Sequence, residues 1–123
     1  MAKVLVVDDD ASTTALLRLL LEMDGFEVET SRNLSEAMVA ATADIATFIV
    51  DCNLADGENG FDLLRAIRGG ETGAPVDAPV ILVSGDPRLE PSALEAGASI
   101  FLMKPYAPTH LTETVRHLLE GTN

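Results

Sequence analysis

The sequence predicts an α/β fold: a single doubly wound, five-stranded parallel sheet with helices on both faces. Three observations predict it. Five short apolar runs, most of them β-branched or otherwise bulky, stand at Val4 to Val7, Phe26 to Thr30, Ile45 to Val50, Val80 to Val83 and Ile100 to Met103, and they read as strands. The segments between them carry apolar residues at helical spacing. Strict alternation of strand and helix then requires parallel strands joined by right-handed crossovers. With 123 residues, 47% of them hydrophobic, the chain can fill one core, so residues 1–123 are read as one domain.

The first strand runs into Asp8-Asp9-Asp10, and the crossover behind it carries Ala15, Leu16, Leu19, Leu20 and Met23. Asp10 suits a helix N-terminus, where the dipole favours negative charge. After the Asp24-Gly25 turn, the second strand alternates Phe26, Val28 and Thr30 with Glu27 and Glu29, which places it at a sheet edge. The third strand ends at Asp51 and is followed by a turn from Ala55 to Gly60 and by a helix with Phe61, Leu64 and Ile67 facing inward. Gly69 to Pro79 reads as irregular. Beyond the fourth strand, Asp86-Pro87-Arg88-Leu89-Glu90-Pro91 leaves few residues with helical freedom before Gly97, so the fourth helix is expected to be short or irregular. The closing helix presents Leu111, Val115, Leu118 and Leu119 and opens on Pro108, where a missing N–H costs least.

Twenty acidic residues against eight basic ones give a net charge of -12, which repels nucleic acid and anionic membranes and argues against direct binding to either. No apolar run approaches the roughly 18 residues of a membrane span. The single cysteine, Cys52, has no disulfide partner and alternates away from Asp51, so an inert buried thiol is expected. The start of the chain lacks the apolar stretch of a secretion signal. A soluble, cytoplasmic protein is the expectation. His110 and His117 share a helix face without other ligand types and read as surface or interface residues.

In open α/β sheets ligands bind outside the carboxyl ends of the strands. Here those ends carry Asp8, Asp9 and Asp10, then Asp51, Ser84, and Lys104 followed by Pro105. Taken singly, an acidic run suits a solvated loop, Ser84 suits a turn, and Lys104-Pro105 suits a strand end; convergence is what gives them meaning. Clustered carboxylates require a cation to offset their repulsion. Oxygen donors from Asp8, Asp9, Asp51 and the backbone carbonyl of Asn53 suit Mg²⁺ better than zinc. Were Asp51 to attack phosphorus, Lys104 and the metal could neutralise the transferring group while Ser84 donated a hydrogen bond.

With these motifs in place, the chain resembles the receiver domains of two-component response regulators, from Lys3 to about Leu119. The matching pieces are Val-Asp8-Asp9, Ile-Val-Asp51, Val-Ser84-Gly85, Ala-Gly97-Ala and Lys104-Pro105. The resemblance implies a flavodoxin-like sheet of order 2-1-3-4-5 and a phosphoryl group accepted on Asp51 from a histidine kinase or phosphotransfer protein. It also implies Mg²⁺ held by Asp8 and Asp9, Ser84 and Lys104 on the phosphoryl group, Phe101 as a switch aromatic, and a downstream protein target. Asn53 and Asp86 fall where the family tunes phosphate lifetime, and Asp86 is expected to orient a hydrolytic water. Such a chain phosphorylates and dephosphorylates itself rather than turning over as an enzyme. Two departures concern the loop after Asp51: Ala55 stands where a proline is usual, and Gly60 lies one residue late.

Two other readings compete. Asp8-Asp9-Asp10-Ala-Ser12 is also similar to the nucleophile motif of haloacid-dehalogenase-like phosphohydrolases, with Asp8 as nucleophile; that family needs a further acidic pair after its lysine, and only Glu113 and Glu120 follow Lys104. The other is a pseudo-receiver, an interaction module that is never phosphorylated.

Overall fold

The computed structural model describes residues 2–120. Its elements run β1 (Lys3–Val7), α1 (Ala11–Met23), β2 (Glu27–Ser31), α2 (Leu34–Ala40), β3 (Ile45–Asp51), α3 (Gly60–Arg68), β4 (Val80–Ser84), α4 (Glu90–Glu95), β5 (Ile100–Met103) and α5 (Pro108–Leu119). The strands form one parallel sheet in the order β2-β1-β3-β4-β5, as expected. The winding reverses between β1 and β3, which opens a crevice at their carboxyl ends.

Alternation along the strands sorts the core into two layers. Leu5 and Val7 of β1, Phe48 and Val50 of β3, and Leu82 of β4 pack under α2, α3 and α4 with Leu63, Leu64, Ile67 and Ala93. Val4, Val6, Ile49, Ile81 and Leu102 pack on the opposite side against Leu17 and Leu21 of α1 and Leu111 and Val115 of α5. The inward face of α1 corrects the sequence expectation. Leu17 and Leu21 are its buried residues, whereas Leu16, Leu19 and Met23 are exposed. A run with leucines at 16, 17, 19, 20 and 21 offers two adjacent stripes at helical spacing, and only packing against β1 and α5 selects between them.

Local chemistry sets the helix ends. Asp10 caps α1, its carboxylate accepting from Ser12 N at 3.1 Å and from Thr13 Oγ1 at 2.8 Å. Asn33 caps α2 and Asn59 caps α3, each satisfying an N–H that the helix itself cannot. α4 is a six-residue helix preceded by a 3₁₀ turn at Pro87–Leu89, and Gly97, at φ 106°, turns the chain into β5. β2 lies at the sheet edge as expected, and Arg18 of α1 reaches over to donate to the Val28 carbonyl at 3.1 Å, covering an acceptor that an edge strand leaves open.

Arg68 organises the irregular segment before β4. Its Nη1 donates to the carbonyls of Val76 and Ala78, both at 2.8 Å, and its Nε to that of Gly97 at 2.9 Å.

Thr47, on the α1/α5 side of β3, is fully buried, and its hydroxyl has no partner among the described residues. An unpaired buried hydroxyl is costly. Thr47→Val is therefore expected to stabilise the fold by about 1 kcal/mol, seen as a higher denaturant midpoint at unchanged slope. A lower midpoint would mean that the hydroxyl is partnered.

Candidate phosphoacceptor site

The carboxyl ends of β1, β3, β4 and β5 bring the predicted residues to one rim. Asp8 lies just past β1; its N–H donates to the Ser31 carbonyl at 3.0 Å, and its Oδ1 accepts from Asp10 N at 2.9 Å. Asp51 closes β3, its Oδ1 accepting from Asn53 N at 3.0 Å and its Oδ2 from Lys104 Nζ at 2.8 Å. Both carboxylate oxygens are thus held, and the group is oriented from two sides. Ser84 closes β4 fully buried, and its Oγ accepts from Asp86 N at 3.1 Å. Lys104 lies just past β5, its N–H donating to the Ser84 carbonyl at 2.9 Å, and its peptide bond to Pro105 is cis.

Asp8, Asp9 and Asp51 each place a carboxylate oxygen within 4.8 Å of the others. Asp8 and Asp51 are buried and Asp9 is exposed. Burial, opposed by the hydrogen bond from Asp10 and reinforced by the charge of Asp51, raises the Asp8 pKa. Burial also works against the Lys104 ammonium, but its hydrogen bond to Asp51 and the fields of Asp51 and Asp8 outweigh it, and the pKa rises. One lysine cannot neutralise three acids. The donors are oxygens only, one corner stays open to solvent through Asp9, and a hard divalent cation that keeps several waters fits this set. The bridge between Asn53 and Asn59 is of the non-hydrogen-bonded kind, flanked by Leu54 N to Glu58 O and Gly60 N to Cys52 O. The Asn53 carbonyl is therefore left outside the ladder.

The other predicted residues fall around this centre. Phe101 is buried in the α3/α4 core layer with Leu82, Ala93 and Ala98. Cys52 is buried, and burial followed by the charge of Asp51 pushes its thiol up to about 11, as an inert thiol requires. Asp86 is gripped by Arg88. His110 and His117 are exposed on α5.

The loop after Asp51 is ordered by features that sequence reasoning passed over. Asp56 and Gly57 both have positive φ, 61° and 76°, the paired left-handed geometry for which Asp-Gly is the characteristic sequence. Glu58 then reaches across to accept from Leu34 N, at the start of α2, at 2.9 Å. Beside the site, Leu16, Leu17, Lys104, Pro105, Tyr106 and Pro108 line a groove between α1 and the start of α5. Burial raises the pKa of Tyr106, with lesser effects from Lys104, Asp8 and Asp51.

Residues 4–116 match the family model of the response regulator receiver domain. The chain belongs to that family. The receiver is 33% identical over 125 residues to the transcriptional regulatory protein CpxR of Escherichia coli K12, covering 100% of this chain and 51% of CpxR. It is 36% identical over 122 residues to the probable transcriptional regulatory protein SilR of Salmonella typhimurium, covering 98% and 52% of the two chains. It thus spans about half the length of these curated relatives. Among solved structures, it superposes on the chemotaxis protein CheY4 of Vibrio cholerae with a TM-score of 0.85 at 30% identity, over 97% of this chain and 99% of that one. Among the described residues, no helix is long and apolar enough to cross a membrane.

Proposed function

We propose that this receiver accepts a phosphoryl group on Asp51 from a histidine kinase or a phosphotransfer protein, and that the modification switches a surface read by a downstream protein. The observation that carries this reading is the setting of the Asp51 carboxylate. It is buried, held by Lys104 on one oxygen and by Asn53 N on the other, and clustered with Asp8 and Asp9.

Asp8, Asp9, Asp51 and the Asn53 carbonyl are the residues that hold Mg²⁺, which supplies neutralisation of the charge on the transferring group. The chain's own groups do the rest. A carboxylate oxygen of Asp51 forms the new bond to phosphorus as the bond from phosphorus to the donor's imidazole nitrogen breaks, and the electron pair leaves with that nitrogen. Lys104, freed from its ion pair as Asp51 is esterified, remains as counter-charge to the phosphoryl oxygens. Ser84, on the strand beside Asp51, donates its hydroxyl hydrogen to one of them, and Phe101 answers that movement from the adjacent core layer. The groove along Leu16, Tyr106 and Pro108 gives a protein donor an apolar footing that begins at Lys104. The product is a stoichiometric phosphoprotein that hydrolyses itself, acting in the cytoplasm. With a net charge of -12, this domain makes no direct contact with nucleic acid.

Incubation with acetyl phosphate and Mg²⁺, followed by intact-mass measurement, is expected to add one acid-labile phosphate that is absent without the metal and abolished in Asp51→Asn. Undiminished labelling of Asp51→Asn, together with loss of labelling in Asp8→Asn, would instead mark Asp8 as the nucleophile. No labelling of the parent chain would make it a pseudo-receiver.

A further inference from the structure

Three places in the chain put an aspartate or asparagine directly before glycine: Asp24-Gly25, Asp56-Gly57 and Asn59-Gly60. Such pairs are open to one reaction, attack of the glycine amide nitrogen on the preceding side-chain carbonyl carbon, because glycine has no Cβ in the way and rotates freely. By residue type alone Asn59 reacts first, since ammonia leaves an amide more readily than water leaves a carboxyl. The folded chain reverses that order.

Asn59-Gly60 is locked. Asn59 Oδ1 accepts from Phe61 N at 2.8 Å, and Gly60 N, the attacking atom, donates to the Cys52 carbonyl at 2.9 Å. Gly60 is buried against β3, its missing Cβ position 2.4 Å from the Asp51 carbonyl oxygen, so its peptide plane has no room to turn. Asp24-Gly25 is held at both ends: Gly25 N donates to the Glu22 carbonyl at 3.0 Å, and the Asp24 carboxylate pairs with Arg116 Nε at 3.4 Å. Asp56-Gly57 has neither restraint. Both residues are exposed. Among the described residues, the Asp56 carboxylate has no hydrogen bond or ion pair, and Gly57 N has no acceptor outside its own turn. Nothing stands within 4 Å of a Cβ placed on Gly57, so the peptide between the two residues is free to rotate. Asp56 also sits at φ 61°, a left-handed setting unfavourable to an L residue, so rotation releases strain rather than adding it.

We propose that Asp56 is a site of spontaneous main-chain isomerisation to isoaspartate in the folded receiver, and that this change disables the acceptor loop. The Gly57 nitrogen bonds to Asp56 Cγ, the carboxyl hydroxyl departs as water with the amide proton, and a cyclic imide closes. Water then opens the ring at one of its two carbonyls. One opening restores aspartate; the other routes the main chain through Cγ and inserts a carbon between residues 56 and 57, with no net gain or loss of atoms. The turn closed by Glu58 N on the Ala55 carbonyl at 3.2 Å, and the adjoining bond from Leu54 N to the Glu58 carbonyl at 3.0 Å, do not survive that insertion. Both lie in the loop joining Asp51 to α3, and Asp56 borders the same open depression as Asp9. The effect on phosphorylation rests on Asp51 being the acceptor; the isomerisation does not.

The test incubates the folded chain at neutral pH and physiological temperature in water enriched in heavy oxygen, then digests it and maps the peptides. Every ring opening takes up one heavy oxygen, so the label counts imide formation at each pair. Label and a chromatographically distinct isoaspartyl isomer are expected at residue 56, with residues 24 and 59 unlabelled. In denaturant the order should invert, with Asn59 leading and Asp24 matching Asp56. Asp56→Gly, which suits the left-handed φ and lacks the carboxyl, should carry no label there. Folded-state label at Asn59 ahead of Asp56, or none at residue 56, overturns the proposal. Acetyl phosphate and Mg²⁺ then compare aged with fresh chains. The aged parent should lose phosphate acceptance in proportion to its isoaspartate content, while aged Asp56→Gly keeps that of its fresh form. Equal acceptance by aged and fresh parent overturns the disabling of the loop. A fresh parent that takes no phosphate overturns the acceptor assignment instead, and the label at residue 56 is read independently of it.

Discussion

Gly60→Ala is expected to destabilise the receiver by about 3 kcal/mol, lowering the thermal midpoint by roughly 10 °C, at the upper end of what overpacking costs. A Cβ at Gly60 would stand 2.4 Å from the Asp51 carbonyl oxygen and 2.7 Å from Val50 Cγ1. The first of these neighbours is backbone and cannot swing aside. Gly60 N also donates to the Cys52 carbonyl at 2.9 Å, which fastens the start of α3 to the end of β3. Relief therefore means parting helix from strand, and Asp51 moves with the strand, so acceptance of phosphate from acetyl phosphate should slow alongside the loss of stability. Gly57→Ala is the control within the same loop. Gly57 has φ 76° but nothing within 4 Å of its missing Cβ, so only left-handed strain of about 1 kcal/mol is expected. Equal midpoints for the two variants would show that the close approach at Gly60 is not what the loop depends on.

Asp8→Asn is expected to stabilise the metal-free protein and to abolish its stabilisation by Mg²⁺. Asn keeps an oxygen to accept from Asp10 N and removes one of the clustered charges. The sign comes from the raised Asp8 pKa, caused first by burial and then, against the Asp10 hydrogen bond, by the charge of Asp51. The folded chain holds this proton more tightly than the unfolded one. Stability associated with the protonated carboxyl is therefore present below the unfolded value and is lost as pH rises through the raised folded value. At neutral pH the whole penalty applies to the parent, and the variant should be more stable by about 1 kcal/mol. Below about pH 4, where Asp8 is protonated in both states, the difference should close. Saturating Mg²⁺ should reverse the ranking, since a ligand at one hundred times its Kd adds about 2.7 kcal/mol to the parent alone. Thermal midpoints of both proteins, measured with and without Mg²⁺ at the two pH values, decide the matter. A variant that still gains stability from Mg²⁺ removes Asp8 from the metal site.

The strands are the most legible part of this chain. Their apolar runs carry their own period, and observed bounds differ from the sequence reading by one residue at an end: Lys3, Asp51 and Ser84 are added to β1, β3 and β4, and β2 is shifted by one, losing Phe26 and gaining Ser31. The residues at those ends are legible for the same reason: a doubly wound sheet gathers strand termini, so the residue just past each apolar run belongs to the rim. Features that depend on long side chains reaching sideways are not legible in this way. Nothing in the sequence marks out Arg68, Arg88 or Glu58, and only three-dimensional packing shows that one pins three carbonyls, another clasps Asp86 and the third spans to α2. The inward face of α1 escapes because adjacent leucine stripes are equivalent until a neighbour is present. The Asp56-Gly57 pair is legible in principle, since Asp-Gly names its own turn, but it lies inside a broad polar stretch that hides where the turn begins.

The span from Glu58 to Leu34 gives the molecule an internal gauge. Because the carboxylate comes from the acceptor's own loop and the amide belongs to a helix on a different crossover, any strain imposed at residue 51 must either pull the start of α2 along or let go of it. The solvent-exchange rate of that single amide is thus a remote dial for events at the rim, readable without touching the chemistry it reports.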